Sequence, residues 1–278
     1  MARHRIVSEW LEVISAELHE VSERPRREAE LLLMAFLERD QLWLITHQDI
    51  LVKNDHKLSE WIKRRIANEP LEYITNHVSF YSEVFHIESG ALIPRPETEL
   101  LIDKVIECAD NEAEITIVEV GVGSGIISII LALNLPKARI IASDISSDAL
   151  SIAAKNIAEF GLEERIELRH GDLLEMIDER IDILVSNPPY IALDADLESN
   201  LDYEPSLALF GGEIGDEIIQ RLLDEVHSRD IKYFACEMGY DQKSKVKYYL
   251  QKSKNRSLQF CKDLAGFDRG FVLKENYE

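Results

Sequence analysis

The chain is short of cysteine, of cations and of long apolar runs, and each shortage excludes something. Its three cysteines, Cys108, Cys236 and Cys261, are widely spaced and contain no Cys-x-x-Cys pair. Neither a disulfide framework nor a zinc site is signalled, and buried structural thiols are expected. The eight histidines are scattered without ligand spacing, so no metal is called for. No apolar run approaches the roughly 20 residues that cross a bilayer. The opening residues MARHRIVSEWLEV also lack a long apolar segment ahead of a small-residue cleavage site, and a cytoplasmic protein without membrane association is expected. Cations are outnumbered, with 31 Lys and Arg against 52 Asp and Glu in 278 residues, a formal charge of −21. Affinity for a polyphosphate comes mainly from cations that displace condensed counterions, so direct nucleic-acid binding is not expected. The deficit is uneven: residues 1–75 hold 11 bases and 14 acids, whereas residues 171–230 hold 3 bases and 16 acids.

What is present describes two kinds of chain. In residues 1–75, Ile6, Trp10, Ile14 and Leu18 recur every four residues, and Leu58, Trp61, Ile62 and Ile66 repeat the pattern. Between them Glu28–Glu38 is rich in helix formers and apolar on more than one face, as a central bundle helix would be. Val78, Phe80, Val84, Phe85 and Ile87 then read as a hairpin around a Ser82-Glu83 break, within a linker over residues 76–100. Beyond it, short apolar runs predict strands at Ile115–Val120, Arg139–Ser143, Ile166–Arg169, Ile181–Ser186, Lys232–Glu237, Ser257–Cys261 and Arg269–Leu273. The first five are separated by segments able to form helices, among them Ser147–Phe160 with Ser147 as N-cap and Gly161 as C-cap. That alternation implies parallel strands with helices on both faces. Lys262–Asp268 is too short for a crossover, so the last two strands should form an antiparallel hairpin. The expected fold is α/β: a Rossmann-like seven-stranded mixed sheet over residues 101–278, preceded by a helical bundle domain. No internal repeat or low-complexity tract is present.

The first of these strands runs into Glu119-Val-Gly121-Val122-Gly123-Ser124-Gly125, followed by an apolar helix Ile126–Leu133. Glycines there let the backbone turn sharply and a ligand approach without Cβ clashes. The spacing is G-x-G-x-G, and the sixth position of a dinucleotide fingerprint is taken by Ile126. Asp144 ends the second strand, where an acid can accept both ribose hydroxyls of an adenosine. Gly171-Asp172-Leu173 follows the third, placed to reach an adenine edge. Singly, a glycine loop is a tight turn and a strand-end Asp is a helix cap. In order, at the carboxyl ends of successive strands, they resemble the S-adenosylmethionine site of the class I methyltransferases, whose seven-stranded sheet ends in such an antiparallel hairpin.

The fourth strand ends in Asn187-Pro188-Pro189-Tyr190. Asn-Pro-Pro is also a good strand stop, but the tetrapeptide matches methyltransferases that act on planar nitrogens. An sp² NH₂ delocalises its lone pair and needs orienting. The Asn187 side-chain oxygen and the Pro188 carbonyl could each take one N–H, aiming the nitrogen at the methyl donor. Consecutive prolines stiffen the loop, and Tyr190 offers an aromatic wall.

Further segments narrow the resemblance. Pro70-Leu-Glu-Tyr73, Ile93-Pro94-Arg95-Pro96-Glu97-Thr98-Glu99-Leu100, the glycine loop, Asn187–Tyr190, Glu204-Pro205 with Ala208–Gly212, Glu237-Met-Gly239-Tyr240-Asp241 and Asp263–Arg269 stand in sequence. Together they are similar to the peptide chain release factor glutamine N5-methyltransferase family over essentially the whole chain. The resemblance implies methylation of the side-chain amide of the glutamine in the Gly-Gly-Gln loop of bacterial class I release factors, with S-adenosylmethionine as cofactor and the N-terminal helical domain in substrate recognition. Carried over by position, Glu119, Gly121, Val122, Gly123, Ser124, Gly125, Asp144 and Asn187 would hold the cofactor, with Asp172 and Leu173 beside its adenine. Asn187, Pro188 and Tyr190 would be catalytic and, with Pro189 and Arg95, would bind the glutamine, although Arg95-Pro96-Glu97 also reads as a salt-bridged linker. Glu119 stands where the family often has Asp, Phe267 where a charge is common, and Ile214 interrupts the usual Gly-Gly-x-Asp-Gly spelling.

Three other readings share parts of the pattern. A sister family methylates a glutamine of a ribosomal protein, but Pro96-Glu97-Thr98-Glu99 reads like the release-factor version. Adenine methylation of nucleic acid would want a basic track near Asn187, and residues 171–230 are net −13. A catalytically silent binder would not need the intact tetrapeptide. A monomer is expected, since no dimer surface stands out in the sequence.

Overall fold

The computed structural model describes residues 4–53, 56–196, 200–229, 231–251 and 256–275. The chain divides into two units, one of residues up to 77 together with 200–203, the other of residues 78–196 and from 204 onward. The hairpin thus goes with the second unit.

In the first unit the apolar spacing becomes helices. A two-residue strand β1 (Arg5–Ile6) leads into helix α1 (Val7–Glu17), with Val7, Trp10, Leu11 and Ile14 buried. Helix α2 (Pro25–Leu37) opens on a proline, whose missing N–H has no intrahelical partner to lose there. Asp40 caps α3 (Gln41–Thr46) by accepting from the Trp43 N–H at 2.7 Å. Strand β2 (Leu51–Val52) pairs antiparallel with β1, and α4 (His56–Ile66) and α5 (Leu71–Thr75) follow. Leu32 and Leu33 of α2 meet Trp10, Leu58, Trp61 and Ile74 in one core. Arg65 of α4 ties to Glu28 of α2 through Nε–Oε2 at 2.6 Å. Ile66, the last residue of the expected apolar stripe, is exposed.

The hairpin of β3 (His77–Phe80) and β4 (Glu83–His86) lies in the second unit from Val78 onward, and α6 (Thr98–Cys108) follows. The turn sits at Tyr81-Ser82, both at positive φ (52° and 65°), one residue earlier than expected. It is held by α6, where Glu99 accepts the Tyr81 N–H at 3.0 Å and Asp103 its hydroxyl at 2.7 Å.

Next come β5 (Thr116–Val120), α7 (Ile126–Asn134), β6 (Arg139–Asp144), α8 (Ser147–Glu159), β7 (Ile166–His170) and β8 (Ile183–Ser186). After these stand β9 (Ile191–Ala192), α9 (Ser206–Leu209), β10 (Phe210–Gly212), α10 (Glu217–Ser228), β11 (Tyr233–Glu237), α11 (Lys243–Leu250), β12 (Arg256–Lys262) and β13 (Asp268–Glu275). Seven strands make one sheet in the order β12-β13-β11-β8-β5-β6-β7. Five are parallel, and β13 runs antiparallel to both its neighbours, as the short Lys262–Asp268 connection requires. Val120 lies opposite Ser143 on one side and Ser186 on the other, while Ser186 faces Cys236. The carboxyl ends of β6, β5, β8 and β11 are therefore level, and the strand order reverses at β5, where open sheets bind ligands.

Three local expectations are corrected. Residues 171–182 form one turn at 173–176 and otherwise irregular chain, with no helix: Leu173 is left-handed (φ 49°), and Arg229 bonds the carbonyls of Leu174 and Ile177. The N-cap of α8 is Ser146, extended and accepting from the Ala149 N–H at 3.2 Å. Ser147 is already helical, and Phe160 is the C-cap. Cys108 is exposed, its thiol against the Tyr233 hydroxyl, whereas Cys236 and Cys261 are buried. No helix among the described residues is long and apolar enough to cross a membrane.

Candidate active site

Beyond β5 the chain must turn at once into α7, and three glycines at positive φ do it: Gly121 (77°), Gly123 (54°) and Gly125 (85°). A Cβ on Gly125 would stand 3.2 Å from the Cβ of Ala153, so glycine there also lets α7 start against α8. The Gly121 and Val122 N–H groups both donate to the Ser143 carbonyl, at 2.8 and 3.0 Å. The Gly123 N–H donates to Oδ2 of Asp144 and the Ser146 N–H to Oδ1, each at 2.9 Å. One carboxylate thus braces both loops and keeps a lone pair on each oxygen for a ligand.

These loops enclose a cavity of about 290 Å³. Among the residues expected to hold a cofactor, Glu119, Gly121, Val122, Gly123, Ser124 and Asp144 line it. So do Asp172, Leu173, Asn187, Pro188 and Pro189, while Gly125, Tyr190 and Arg95 do not. Gly125 acts through backbone shape, and Tyr190 stands behind the wall. Arg95 ends in a salt bridge, Nη2 to Glu204 Oε1 at 2.5 Å, and Glu204 also accepts the Ile93 N–H at 3.0 Å. Asp172 accepts from Arg221 at 2.6 Å, so this acid has a cation beside it.

The floor holds a buried acid. Glu119 is fully buried and takes a hydrogen bond from the Ser128 hydroxyl. Burial pushes its carboxyl up to about 8, and the nearby Asp144 charge adds to the rise. Burial raises Asp144 as well, opposed by the backbone N–H groups it accepts. Two neighbouring acids thus both resist ionisation. A cationic centre with hydroxyls would relieve both. Leu92, Ile145, Leu207 and Ile218 give the same cavity apolar wall.

The loop after β8 forms the other rim. The Ser186 hydroxyl donates to the Val120 carbonyl at 2.8 Å, fixing the strand end before Asn187. Asn187 Nδ2 donates to Thr98 Oγ1 at 3.2 Å. Thr98 donates to Glu237 Oε2 at 2.8 Å, and the Tyr190 hydroxyl to Glu237 Oε1 at 3.2 Å. Among the described residues no donor reaches Asn187 Oδ1 or the Pro188 carbonyl oxygen. Glu237 is 3% exposed, and burial pushes its carboxyl up to about 7. Burial also raises Tyr190 well above its ordinary range, with the Glu237 charge adding to it.

The loop is clamped from below. The Gln242 side chain donates to the carbonyls of Tyr190 and Gly215, both at 3.0 Å, and accepts the Gly239 N–H at 3.0 Å. A Cβ on Gly211 would stand 2.4 Å from the Pro189 carbonyl oxygen, and one on Gly215 2.6 Å from that of Tyr190. The Gly211–Asp216 stretch, which the sequence marked without a role, is where backbone packs on backbone.

Sequence reasoning assigned no role to Thr98, Ser128, Arg221, Glu237 or Gln242. Arg221 did carry a signal, as one of three bases in residues 171–230. Thr98 and Glu237 lie 139 residues apart, and only the fold joins them. Among the described residues no group of three His, Cys, Asp or Glu is arranged to hold a metal ion.

Residues 96–201 match the methyltransferase small domain family, and residues 9–75 the PrmC N-terminal domain family. The release factor glutamine methyltransferase of Koribacter versatilis is 39% identical over 89% of this chain and 90% of its own length. That of Moorella thermoacetica is 38% identical over 92% and 93%, and that of Clostridium acetobutylicum 34% over 87% and 88%. Among solved structures, a ribosomal protein L11 methylase from Lactobacillus delbrueckii subsp. bulgaricus superposes with a TM-score of 0.51 at 24% identity, covering 70% of this chain and 87% of its own. A human methyltransferase 10 domain containing protein gives 0.51 at 16%, covering 70% and 89%. These two likenesses concern the fold.

Proposed function

Since the chain belongs to the release factor glutamine methyltransferase family, we propose that it methylates the side-chain amide nitrogen (N5) of the glutamine in the Gly-Gly-Gln loop of a bacterial class I peptide chain release factor, and so modulates translation termination. The observation that carries the reading is the free pair of acceptors, Asn187 Oδ1 and the Pro188 carbonyl, at the rim of an acidic cavity. A primary carboxamide has two N–H donors on one planar nitrogen, and two fixed acceptors meet them.

The residues present fit S-adenosylmethionine. The Asp144 carboxylate at the end of β6 suits ribose hydroxyls, Glu119 suits a cationic amino acid end, and Leu173 with Asp172 flanks the space for a purine. When bound, that group supplies a methyl on a sulfonium. The Gly121–Gly125 loop admits it by offering backbone without side chains. Asn187 and Pro188 hold the glutamine nitrogen in one orientation, drawing electron density toward it through its two N–H bonds. Pro189 has no N–H to compete for these acceptors. Tyr190 supports the planar group from behind, and its phenol stays protonated across the working pH range because it lies buried against Glu237. Arg95 acts through Glu204, which fixes the Ile93 backbone beside the cavity. We place the N-terminal helical unit in recognition of the release factor, take the enzyme to act as a monomer, and read the acidity of residues 171–230 as favouring a protein partner over nucleic acid.

Tritiated S-adenosylmethionine with purified release factor, its Gln→Ala loop variant and adenine-containing DNA tests the assignment. Label is expected on the parent factor alone. Asn187→Ala should lower kcat by roughly a hundredfold, the scale of a lost orienting contact. Label on DNA, or on the loop variant, would overturn the reading.

A further inference from the structure

We infer that Glu237 and Thr98 form a positioning relay that decides which end of the Asn187 carboxamide faces the substrate. The inference rests on the role proposed for Asn187 and deepens it. The two ends of an Asn amide are alike in size, so only its partner sets the orientation. Here the partner is the Thr98 hydroxyl. Its proton is committed to Glu237 Oε2 at 2.8 Å, so its oxygen is left to accept. Asn187 therefore turns Nδ2 to it at 3.2 Å, and Oδ1 is left outward as an acceptor. Were the Thr98 proton free, it could bond Oδ1. Asn187 would then present NH₂ to an incoming NH₂, donor against donor.

An ionised carboxylate only accepts, so it holds both hydroxyl protons, from Thr98 and from Tyr190 at 3.2 Å. A protonated one donates to one of them, and where it donates to Thr98 it frees the Thr98 proton for Oδ1. Burial puts that change in the working range, with the carboxyl at about 7. The groups facing it are few. Glu97 on the approach to α6 raises it, Arg269 on β13 lowers it, and the Thr98 and Tyr190 hydrogen bonds lower it. Arg269 is itself held by Asp263 at 2.8 Å and lies 3.7 Å from Glu97. Arg95 acts on Tyr190, and the neighbouring Cys236 thiol is raised by burial and stays neutral. Gly270, the cross-strand partner of Glu237, brings no side chain. Deprotonation sets the relay, so kcat should rise with pH through an inflection near 7.

The test compares kcat and KM on release factor for the parent, Thr98→Val, Thr98→Ser and Glu237→Gln across the neutral range. Thr98→Val should lower kcat about tenfold, the worth of one misdirected hydrogen bond, with little change in KM for S-adenosylmethionine. Thr98→Ser should restore most of it. Glu237→Gln, which cannot titrate, should lose the inflection. A second readout needs no substrate: the Asn187 side-chain NH₂ signals of ¹⁵N-labelled protein, assigned by their loss in Asn187→Ala. These should shift with a midpoint near 7 in the parent and not in Glu237→Gln. Parental kcat in Thr98→Val, failure of serine to rescue, or NH₂ signals that do not move in the parent would each overturn the relay. A release factor left unlabelled by the parent, with the NH₂ titration intact, would instead sink the substrate assignment alone.

Discussion

Glu119 holds a proton in the folded chain that it would give up on unfolding. Its carboxyl stands at about 8 because burial outweighs the Ser128 hydrogen bond, against an unfolded value near 4.5. Between those values the unfolded state binds fewer protons, so stability falls as pH rises. The contribution is complete below about 4.5 and lost by the time the pH passes 8. Glu119→Gln keeps an oxygen for Ser128 and cannot ionise. Its melting temperature should therefore fall less than the parent's between those pH values, and parallel curves would contradict the account. Asp144 makes a different case, because each carboxylate oxygen already serves one backbone N–H. Asparagine offers one oxygen and would turn an NH₂ against the other N–H. Asp144→Asn should raise KM for S-adenosylmethionine tenfold or more, the scale of hydrogen bonds to a charged group, while kcat at saturation changes far less.

At the scale of elements, the 187–190 loop is held by contacts between backbones. Gly211 has an ordinary φ, so alanine there is not strained by conformation, yet its Cβ would meet the Pro189 carbonyl oxygen at 2.4 Å. Neither backbone can yield cheaply. Gly211→Ala should therefore lower kcat at least tenfold by displacing the 187–190 loop, the cost of a misplacement of about 1 Å or less. Gly161→Ala, with no atom within 4 Å of the added Cβ but a φ of 66°, should cost some stability and leave kcat alone. Initial rates beside thermal melts separate the two. The strands were legible as short apolar runs, three of which lead into a chemically marked residue: Gly121, Asp144, Asn187. Residues 171–182 were not, because Leu174, Ile177 and Ile181 fall at helical spacing. All three are buried, but along irregular chain that turns at the left-handed Leu173 and is tied at Leu174 and Ile177 by the Arg229 side chain. The glycine loop and the tetrapeptide were legible as contiguous motifs. Thr98, Glu237 and Gln242 were not, because what they do depends on partners about 50 to 140 residues away.

For the molecule as a whole, charge is the property that remains to be used. The net −21 is concentrated beyond residue 75, and residues 171–230, which carry the Asn187 loop, are net −13. Several acids there have partners, since Asp172 meets Arg221 and Glu225 meets Arg229. Arg95, Arg169 and Lys245 from outside the segment also meet Glu204, Glu179 and Asp216, but the acids still outnumber these partners, so the surface around the loop remains negative. A partner that brings a glutamine to this loop has to come close to that field, and a neutral or basic surface around its own loop would be drawn in. Such attraction acts on encounter more than on chemistry. Between about 0.1 M and 1 M salt the screening length falls from about 10 Å to about 3 Å. We expect kcat/KM for release factor to fall severalfold over that range while kcat at saturation stays close to constant. A short uncharged peptide carrying Gly-Gly-Gln should show little salt dependence, because it brings no charge to screen. Equal salt responses for factor and peptide, or none for the factor, would mean that the acidity is a solvated surface and that docking is carried by shape and apolar contact.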